Sequence, residues 1–304
     1  KEEHYLPAFK EGMELQNMEI EAIVNNPEAP TFENTIEAME STGSLLRKVS
    51  NVFGVLNNSM TNDNMQKIAK EVAPLESKHW DNIRLNEKLF QRIKAVYEQK
   101  DKLDLATEQN TLLVKYYKDF VRSGANLDEE KKARLKEINQ ELSILTVKFG
   151  ENVLKENNRF AMVINKEEDL AGLTKAVITG AAQAAKERGQ EGKWVFTIHR
   201  PSMIPFLQSS ENRALREKIF KAYINKGNNN DELDNKNNLA KIAALRVERA
   251  DLLGYKTHAD YVLENNMAKK PENVYKFLDQ LWKPALKMAK GKAKELQEMI
   301  RKEG

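Results

Sequence analysis

The sequence predicts a mainly α fold, a multi-helix scaffold with one small β-ribbon near residues 160–164 and 194–198. Residues that favour turns are scarce: 13 glycines and 8 prolines are about 7% of the 304 residues, against roughly 12% in an average protein. Apolar residues recur at helical spacing along most of the chain. Hydrophobic residues make up 40% and charged residues 31%, the balance of a folded protein with a charged surface.

Consecutive helices are predicted for the N-terminal half. Residues 4–24 place apolar side chains one turn apart, and an Asn-Asn-Pro sequence follows them. A second helix is expected to begin after Thr31, a good N-cap residue, and its apolar face continues to Leu56. A third begins near Asn62, and Pro74 is expected to bend or restart it.

Residues 128–158 form the clearest predicted helix. Steps of three and four residues separate its apolar positions, which are Leu135, Ile138, Leu142, Leu145 and Phe149. Such a seam suits either a dimeric coiled coil or a long helix that packs against a neighbour in the same chain. The seam is shorter than four heptads, which favours the helical hairpin within one chain.

The second half contains the predicted ribbon and a further series of helices. Both strands are short, rich in β-branched and aromatic residues, and flanked by turn residues. An alanine-rich helix between them is expected to be buried by its neighbours. The helices are predicted at 174–188, 211–226, 235–254, 257–266 and 271–301. We therefore expect two regions, a helical one with long hairpins over 1–158 and a helical one with the ribbon over 159–304.

Composition excludes several function classes. The net charge is only +3, so the chain is not expected to bind nucleic acid. Cysteine is absent, which removes disulfides, thiol nucleophiles and thiolate metal sites. No apolar run is long enough for a membrane span, and neither phosphate-binding glycine motif occurs. None of this distinguishes the cytoplasm from the periplasm, so the localisation is unknown.

The histidines give no catalytic or metal-binding motif. They are His4, His79, His199 and His258, and no His-Glu-x-x-His sequence is present. His258 and Asp260 are best interpreted as helix-start residues. His199 follows a predicted strand, where a catalytic residue could lie, but no suitable partner is near, so a structural role is favoured. We assign no catalytic, cofactor-binding or metal residue to the chain.

The last predicted helix is basic and amphipathic. Residues 269–304 contain ten Lys or Arg and five Asp or Glu, a local charge of +5. Its apolar positions are Val274, Leu278, Leu281, Ala285, Ala289, Leu296 and Ile300. Such a helix can bind a membrane or a partner protein, but packing of its apolar face on its own protein is favoured because acidic residues interrupt the basic face.

Five segments together resemble a known family. They are HYLPAFKEGM at 4–13, DLAGL at 169–173, GKWVFTIHRPSMIPFL at 192–207, NRALREKIFKAYINKG at 212–227 and ALRVERADLLGYKTHADYVLENNMAKKPENV at 244–274. In order and spacing they resemble the amino-terminal half of zinc peptidases of the thimet-oligopeptidase family. MAKKPENVYKFL resembles the peptidyl-dipeptidase branch in particular. No single segment is specific.

The resemblance implies a mostly helical ellipsoid with two lobes flanking a deep, narrow channel that excludes folded proteins. In that family a His-Glu-x-x-His helix and a distant glutamate hold one Zn²⁺ ion, which activates water. Enzymes of this branch release dipeptides from the carboxyl end of oligopeptides. All of these catalytic residues belong to the half expected after residue 304, so none is carried over to this sequence.

The resemblance therefore implies a scaffold and channel wall that is inactive alone and expected to bind no cofactor itself. Its partners would be its own C-terminal catalytic half and, in the full-length parent, short peptides. Helices that pack on that half would be exposed without it, above all 271–301, and could form a dimer of the segment. Two alternatives stay open, a stand-alone helical binding module and a coiled-coil-like structural protein.

Overall fold

The computed structural model describes residues 1–303, and the predicted mainly α class is confirmed. The helices are α1 (Tyr5–Val24), α2 (Ala38–Glu40), α3 (Ser44–Ser59), α4 (Asp63–Arg84), α5 (Glu87–Glu98), α6 (Thr107–Arg122), α7 (Glu129–Arg159), α8 (Lys175–Glu187), α9 (Arg200–Ser209), α10 (Arg213–Ile224), α11 (Lys236–Leu252), α12 (His258–Leu263) and α13 (Pro271–Glu303). Contacts divide the chain into two compact units, residues 1–243 and a second unit that begins at Ala244. The division into regions 1–158 and 159–304, which the sequence suggested, stays a prediction.

The predicted β-ribbon is confirmed, with shorter strands than expected. Strands β1 (Met162–Ile164) and β2 (Trp194–Phe196) pair antiparallel, with Val163 opposite Val195. One face of the ribbon joins α8, α9 and α10 in a hydrophobic core. Of α8, only the face with Ala181 and Ala185 is buried, so the expectation that neighbours cover this helix holds for one side.

The single helix predicted from Thr31 to Leu56 is wrong. A π-helical segment, Phe32–Glu37, begins after Thr31 and runs into α2, and α3 begins only after Gly43. Gly43 has a φ of 70°, in the left-handed region that breaks a helix. Its N–H donates to the Glu19 carboxylate at 2.7 Å. A Cβ atom at this position would lie 2.5 Å from Gln16 Nε2, so only glycine fits.

The helix does not restart at Pro74, one of the two outcomes expected there, the other being a bend. Helix α4 continues through this residue from Asp63 to Arg84. A proline inside a helix removes one backbone hydrogen bond and clashes with the preceding turn, at a cost of about 3 kcal/mol. The helix persists because both sides of Pro74 are anchored: Ile68 and Val72 precede it and Ile83 follows it in the buried core.

The heptad seam packs inside the chain. Helix α7 lies against α4, and Leu135, Ile138 and Leu142 are buried within the single chain. Near one end of the pair Asn139 donates to Asp81 at 2.8 Å, and near the other Lys70 lies 2.7 Å from Glu151. Because position 139 meets 81 and position 151 meets 70, the helices are antiparallel. The prediction that this helix packs against a neighbour in the same chain is confirmed, although α5 and α6 separate the two helices in sequence, so they are not a hairpin. The buried part of the seam is not free to form a coiled-coil dimer.

Buried polar side chains hold the C-terminal part of α7 against the segment that precedes α11. Glu156 is 5% exposed, and its carboxylate accepts a hydrogen bond from Gly227 N–H at 2.5 Å and another from Asn229. Asn152 donates to Asn235 at 3.0 Å, and Asn235 in turn donates to a backbone carbonyl of α7. These bonds satisfy polar groups that would otherwise be costly to bury.

Leu142→Asp is expected to unfold the chain or lower its free energy of unfolding by at least about 3 kcal/mol, because it removes a buried side chain and places an unpaired charge in the α4–α7 interface. Ile144→Asp is the matched control, since Ile144 lies on the same helix and is 48% exposed. Urea unfolding followed by circular dichroism measures both variants. Equal stabilities, or a folded Leu142→Asp monomer that dissociated from a dimer, would contradict the intrachain seam.

Candidate functional site

The structure places the four histidines on separate elements. His4 lies in the exposed N-terminal turn, and His199 precedes α9, where its Nδ1 is 3.2 Å from the Thr197 hydroxyl. His258 begins α12. Thr257 caps that helix and donates to Asp260 at 2.6 Å, so this aspartate serves the helix start, as expected. Within residues 1–303, no three His, Asp or Glu side chains are arranged to hold a metal ion.

His79 is the buried histidine of α4. It is 4% exposed, and its Nε2 lies 2.8 Å from Gln16 Oε1. Gln16 Nε2 donates to the Thr42 hydroxyl at 3.3 Å, and this hydroxyl donates to the Met39 carbonyl at 2.9 Å. Burial lowers the pKa of His79, because the charged imidazolium loses its hydration in this environment. The neutral ring is therefore a structural group that joins α4 to α1.

Beside this chain of hydrogen bonds lies a cleft of about 220 Å³, which we call the Trp80 cleft. Residues of α1, α2, α3, α4 and α6 line it. Its buried floor consists of Gln16, Ile20, Met39, Thr42, Ile83 and Phe120, and its rim consists of Glu40, Arg47, Trp80, Arg84, Lys115, Tyr116 and Asp119. The floor is thus largely apolar, whereas the rim carries three cations and two carboxylates.

One cation and one carboxylate of the rim form an ion pair, and the other carboxylate accepts a hydrogen bond. Lys115 lies 2.8 Å from Asp119 on the same helix, and the Tyr116 hydroxyl donates to Glu40 at 2.6 Å. Burial and the Glu40 carboxylate together raise the pKa of Tyr116, so its proton is retained. The Arg84 guanidinium lies over the Trp80 ring, 5.5 Å from its centre. Among the described residues neither Arg47 nor Arg84 forms an ion pair.

The cleft was missed at the sequence level. Its lining residues extend from position 16 to position 120, and only tertiary packing brings them together. The one local signal is the spacing of Trp80 and Arg84, four residues apart, which on a helix such as α4 places an arginine next to an aromatic ring on one face.

The apolar face of α13 forms a second distinctive surface, which we call the α13 stripe. It consists of Val274, Leu278, Leu281, Ala285, Ala289, Leu296 and Ile300. Leu278, Leu281, Leu296 and Ile300 are 49%, 52%, 59% and 58% exposed. Within its own unit this face is therefore not covered by apolar neighbours, and what it packs against stays a prediction. No described helix is long and apolar enough to cross a bilayer.

Comparison with known proteins shows what this chain is similar to. The model of peptidase family M3 matches residues 206–304, which include α10 to α13. The resemblance to these peptidases seen in the sequence is therefore confirmed, and the family model itself covers about the last third of the chain.

Particular relatives match almost the whole chain. Dipeptidyl carboxypeptidase of Escherichia coli (strain K12) is 34% identical over 300 residues, which are 99% of this chain and 44% of that protein. The same name, identity and coverage apply to a protein of Salmonella typhimurium (strain LT2). Oligopeptidase A of Haemophilus influenzae is 31% identical over 98% of this chain and 44% of its own length. The chain thus spans less than half the length of these relatives and corresponds to the N-terminal half of the dipeptidyl carboxypeptidases.

His79 should make the stability of the fold depend on pH. Its pKa is lowered from the 6.5 of the unfolded chain, so the unfolded state binds more protons between the two values. The contribution of His79 is therefore fully present above pH 6.5 and is lost as the pH falls toward its folded-state pKa. His79→Gln, which cannot titrate, should show a shallower decline in unfolding free energy from about pH 7.5 to about pH 5.5.

The matched control for this measurement is His4→Gln, which replaces an exposed histidine and should leave the wild-type slope unchanged. Urea unfolding at each pH provides the free energies. Parallel curves for the wild type and His79→Gln would show that the buried ring is protonated as easily as a free one.

Proposed function

We propose that this chain is the N-terminal scaffold and channel-wall segment of a longer zinc metallopeptidase that releases C-terminal dipeptides from oligopeptides. The observation that carries the proposal is the 34% identity to a dipeptidyl carboxypeptidase over 99% of this chain but only 44% of that protein. Similarity over nearly every residue favours a common fold, and the coverage favours a parent protein more than twice as long.

The catalytic groups of such a parent would lie outside this chain. A zinc peptidase needs three protein ligands around an open coordination position and a carboxylate that acts as general base. The donor set described here does not fit that requirement, because the four histidines lie on separate elements and no suitable cluster is found within residues 1–303. We therefore assign no step of the zinc chemistry to this chain and propose that the segment alone is inactive.

The role that remains for the chain is structural. Its antiparallel α4–α7 pair and the helices packed on its ribbon can form one wall of a channel and restrict access to short peptides. The α13 stripe is the surface we propose to pack against the C-terminal half of the parent. Exposed apolar patches of this kind are typical of surfaces that contact another protein segment.

The first experiment is to sequence the source gene beyond the codon for Gly304. We expect a His-Glu-x-x-His sequence within the next few hundred codons. The full-length product should then release C-terminal dipeptides from short peptides and lose that activity on removal of zinc by a chelator, with recovery after zinc is restored. The chain alone, at the same concentration, should cleave none of these peptides. A stop codon before such a motif would contradict the proposal and leave the helical binding module as the alternative.

Leu281→Asp tests the proposed contact of the α13 stripe. In the full-length protein the aspartate would be buried in the interface, so we expect a loss of about 2–4 kcal/mol in unfolding free energy. In the chain alone the same substitution should change stability by less than about 0.5 kcal/mol, because Leu281 is already 52% exposed.

Gln280→Asp is the matched control for this experiment. It introduces the same charge one residue away, on the opposite face of α13, where the side chain is exposed. It should have a small effect in both proteins. If Leu281→Asp and Gln280→Asp destabilised the full-length protein equally, the stripe would not be the contact surface.

A further inference from the structure

We propose that the Trp80 cleft binds the C-terminal residue of a short peptide, with an apolar side chain on the floor and the α-carboxylate between Arg47 and Arg84. The choice of a peptide rests on the proposed function, whereas the need for an apolar group beside a carboxylate rests on the cleft itself. This would be a peptide-binding site on the scaffold, carried by residues of this chain alone.

The floor of the cleft selects an apolar group. Gln16 and Thr42 are its polar residues, and their side-chain atoms already bond to each other, to His79 and to a backbone carbonyl. A polar ligand group placed there would lose its hydration without gaining a partner, which is unfavourable. The remaining floor consists of Ile20, Met39, Ile83 and Phe120, which favour an aliphatic or aromatic side chain.

The rim of the cleft selects an anion. Asp119 is paired with Lys115, and the Glu40 carboxylate keeps its charge while it accepts a hydrogen bond from Tyr116. With Arg47 and Arg84 the rim still carries a net charge of +1, and these two guanidinium groups are its unpaired cations. The Trp80 ring supports the Arg84 guanidinium in a defined position, which reduces the ordering needed on binding. Guanidinium groups bind carboxylates through paired, charge-assisted hydrogen bonds.

The size of the cleft and the chemistry together indicate a C-terminal residue. A volume of about 220 Å³ lies below the range of roughly 300–1,000 Å³ typical of sites for larger organic ligands, so one side chain fills the cleft. In a C-terminal residue the side chain and the carboxylate share one Cα atom, which matches a floor and a rim that adjoin. An internal Asp or Glu offers the carboxylate without an apolar group beside it.

The test uses isothermal titration calorimetry on the full chain with three probes. N-acetylphenylalanine carries both features, N-acetylphenylalanine amide lacks the carboxylate, and N-acetylglycine lacks the side chain. We expect saturable binding of N-acetylphenylalanine and affinities at least about tenfold lower for the other two. Equal binding of acid and amide, or no saturable binding of the acid up to its solubility limit, would overturn the proposal. Inorganic phosphate that bound as tightly as N-acetylphenylalanine would show a site for anions only.

Arginine variants locate the binding. Arg84→Ala and Arg47→Ala should each weaken N-acetylphenylalanine about tenfold and leave the amide unaffected, while Arg84→Lys keeps the charge and should lose less. Arg213→Ala, an exposed arginine on α10, is the matched control and should bind like the wild type. All of these side chains are exposed, so circular dichroism should show an unchanged fold. Undiminished binding in both cleft variants would place the ligand elsewhere.

This measurement and the test of the proposed function can fail separately. Binding is measured on the chain without zinc and without peptide cleavage. A gene that encodes no His-Glu-x-x-His sequence would remove the peptidase but not an affinity for N-acetylphenylalanine. An active full-length peptidase whose N-terminal chain ignores all three probes would support the proposed function and overturn the cleft.

Discussion

The packing of α7 is the constraint on which the rest of the N-terminal unit depends. Its N-terminal part buries Leu135, Ile138 and Leu142 against α4, while its C-terminal part buries Glu151 and Glu156 beside polar partners. One helix therefore uses two kinds of interface. The apolar part supplies free energy through burial, at roughly 25 cal/mol per Å² of apolar surface, and does not by itself specify register. The polar part is favourable only when each donor meets its acceptor, so it admits one alignment.

The two interfaces of α7, one apolar and one polar, explain how this helix can join distant parts of the sequence. The carboxylate of Glu156 holds Gly227 and Asn229, which precede α11, more than seventy positions along the chain. Gly227 has a φ of 71°, a conformation that glycine adopts without strain. The segment therefore turns tightly enough to present its N–H groups to one buried carboxylate. The N-terminal helices and the ribbon region are thus fixed to the same helix.

The elements predicted best from sequence are those whose signals are local. Helix α7 was predicted over 128–158 and begins at Glu129, because a heptad pattern follows an Asp128 N-cap. The ribbon was also predicted, since turn residues bound both of its short strands. The break at Gly43 was missed because the stabilising acceptor, Glu19, lies on a different helix and cannot be read from neighbouring residues. Helix α9 was missed because Pro201 and Pro205 lie within its ten residues, where prolines normally indicate a turn.

The same distinction between local and tertiary signals applies to the candidate site. The absence of a zinc motif is a local property that the sequence shows directly, whereas the Trp80 cleft exists only after α1, α4 and α6 have packed. In the sequence, the residues of its floor look like ordinary buried positions of amphipathic helices. What distinguishes the cleft is that two arginines remain without carboxylate partners at its rim, where Lys115 is paired with Asp119 and Glu40 accepts a hydrogen bond from Tyr116.

The α13 stripe supports a scaffold role by the same physical reasoning. Burial of a large apolar side chain contributes about 1.5–3 kcal/mol, and four such side chains on one face of α13 remain about half exposed. On α7, by contrast, the seam residues Leu135, Ile138 and Leu142 are buried, and this helix packs against α4. The apolar pattern of α13 is as regular as that of the buried α7 seam, yet its large side chains remain about half exposed. This favours a contact with another segment of protein. The relatives, more than twice as long as the chain, possess the additional sequence that such a contact requires.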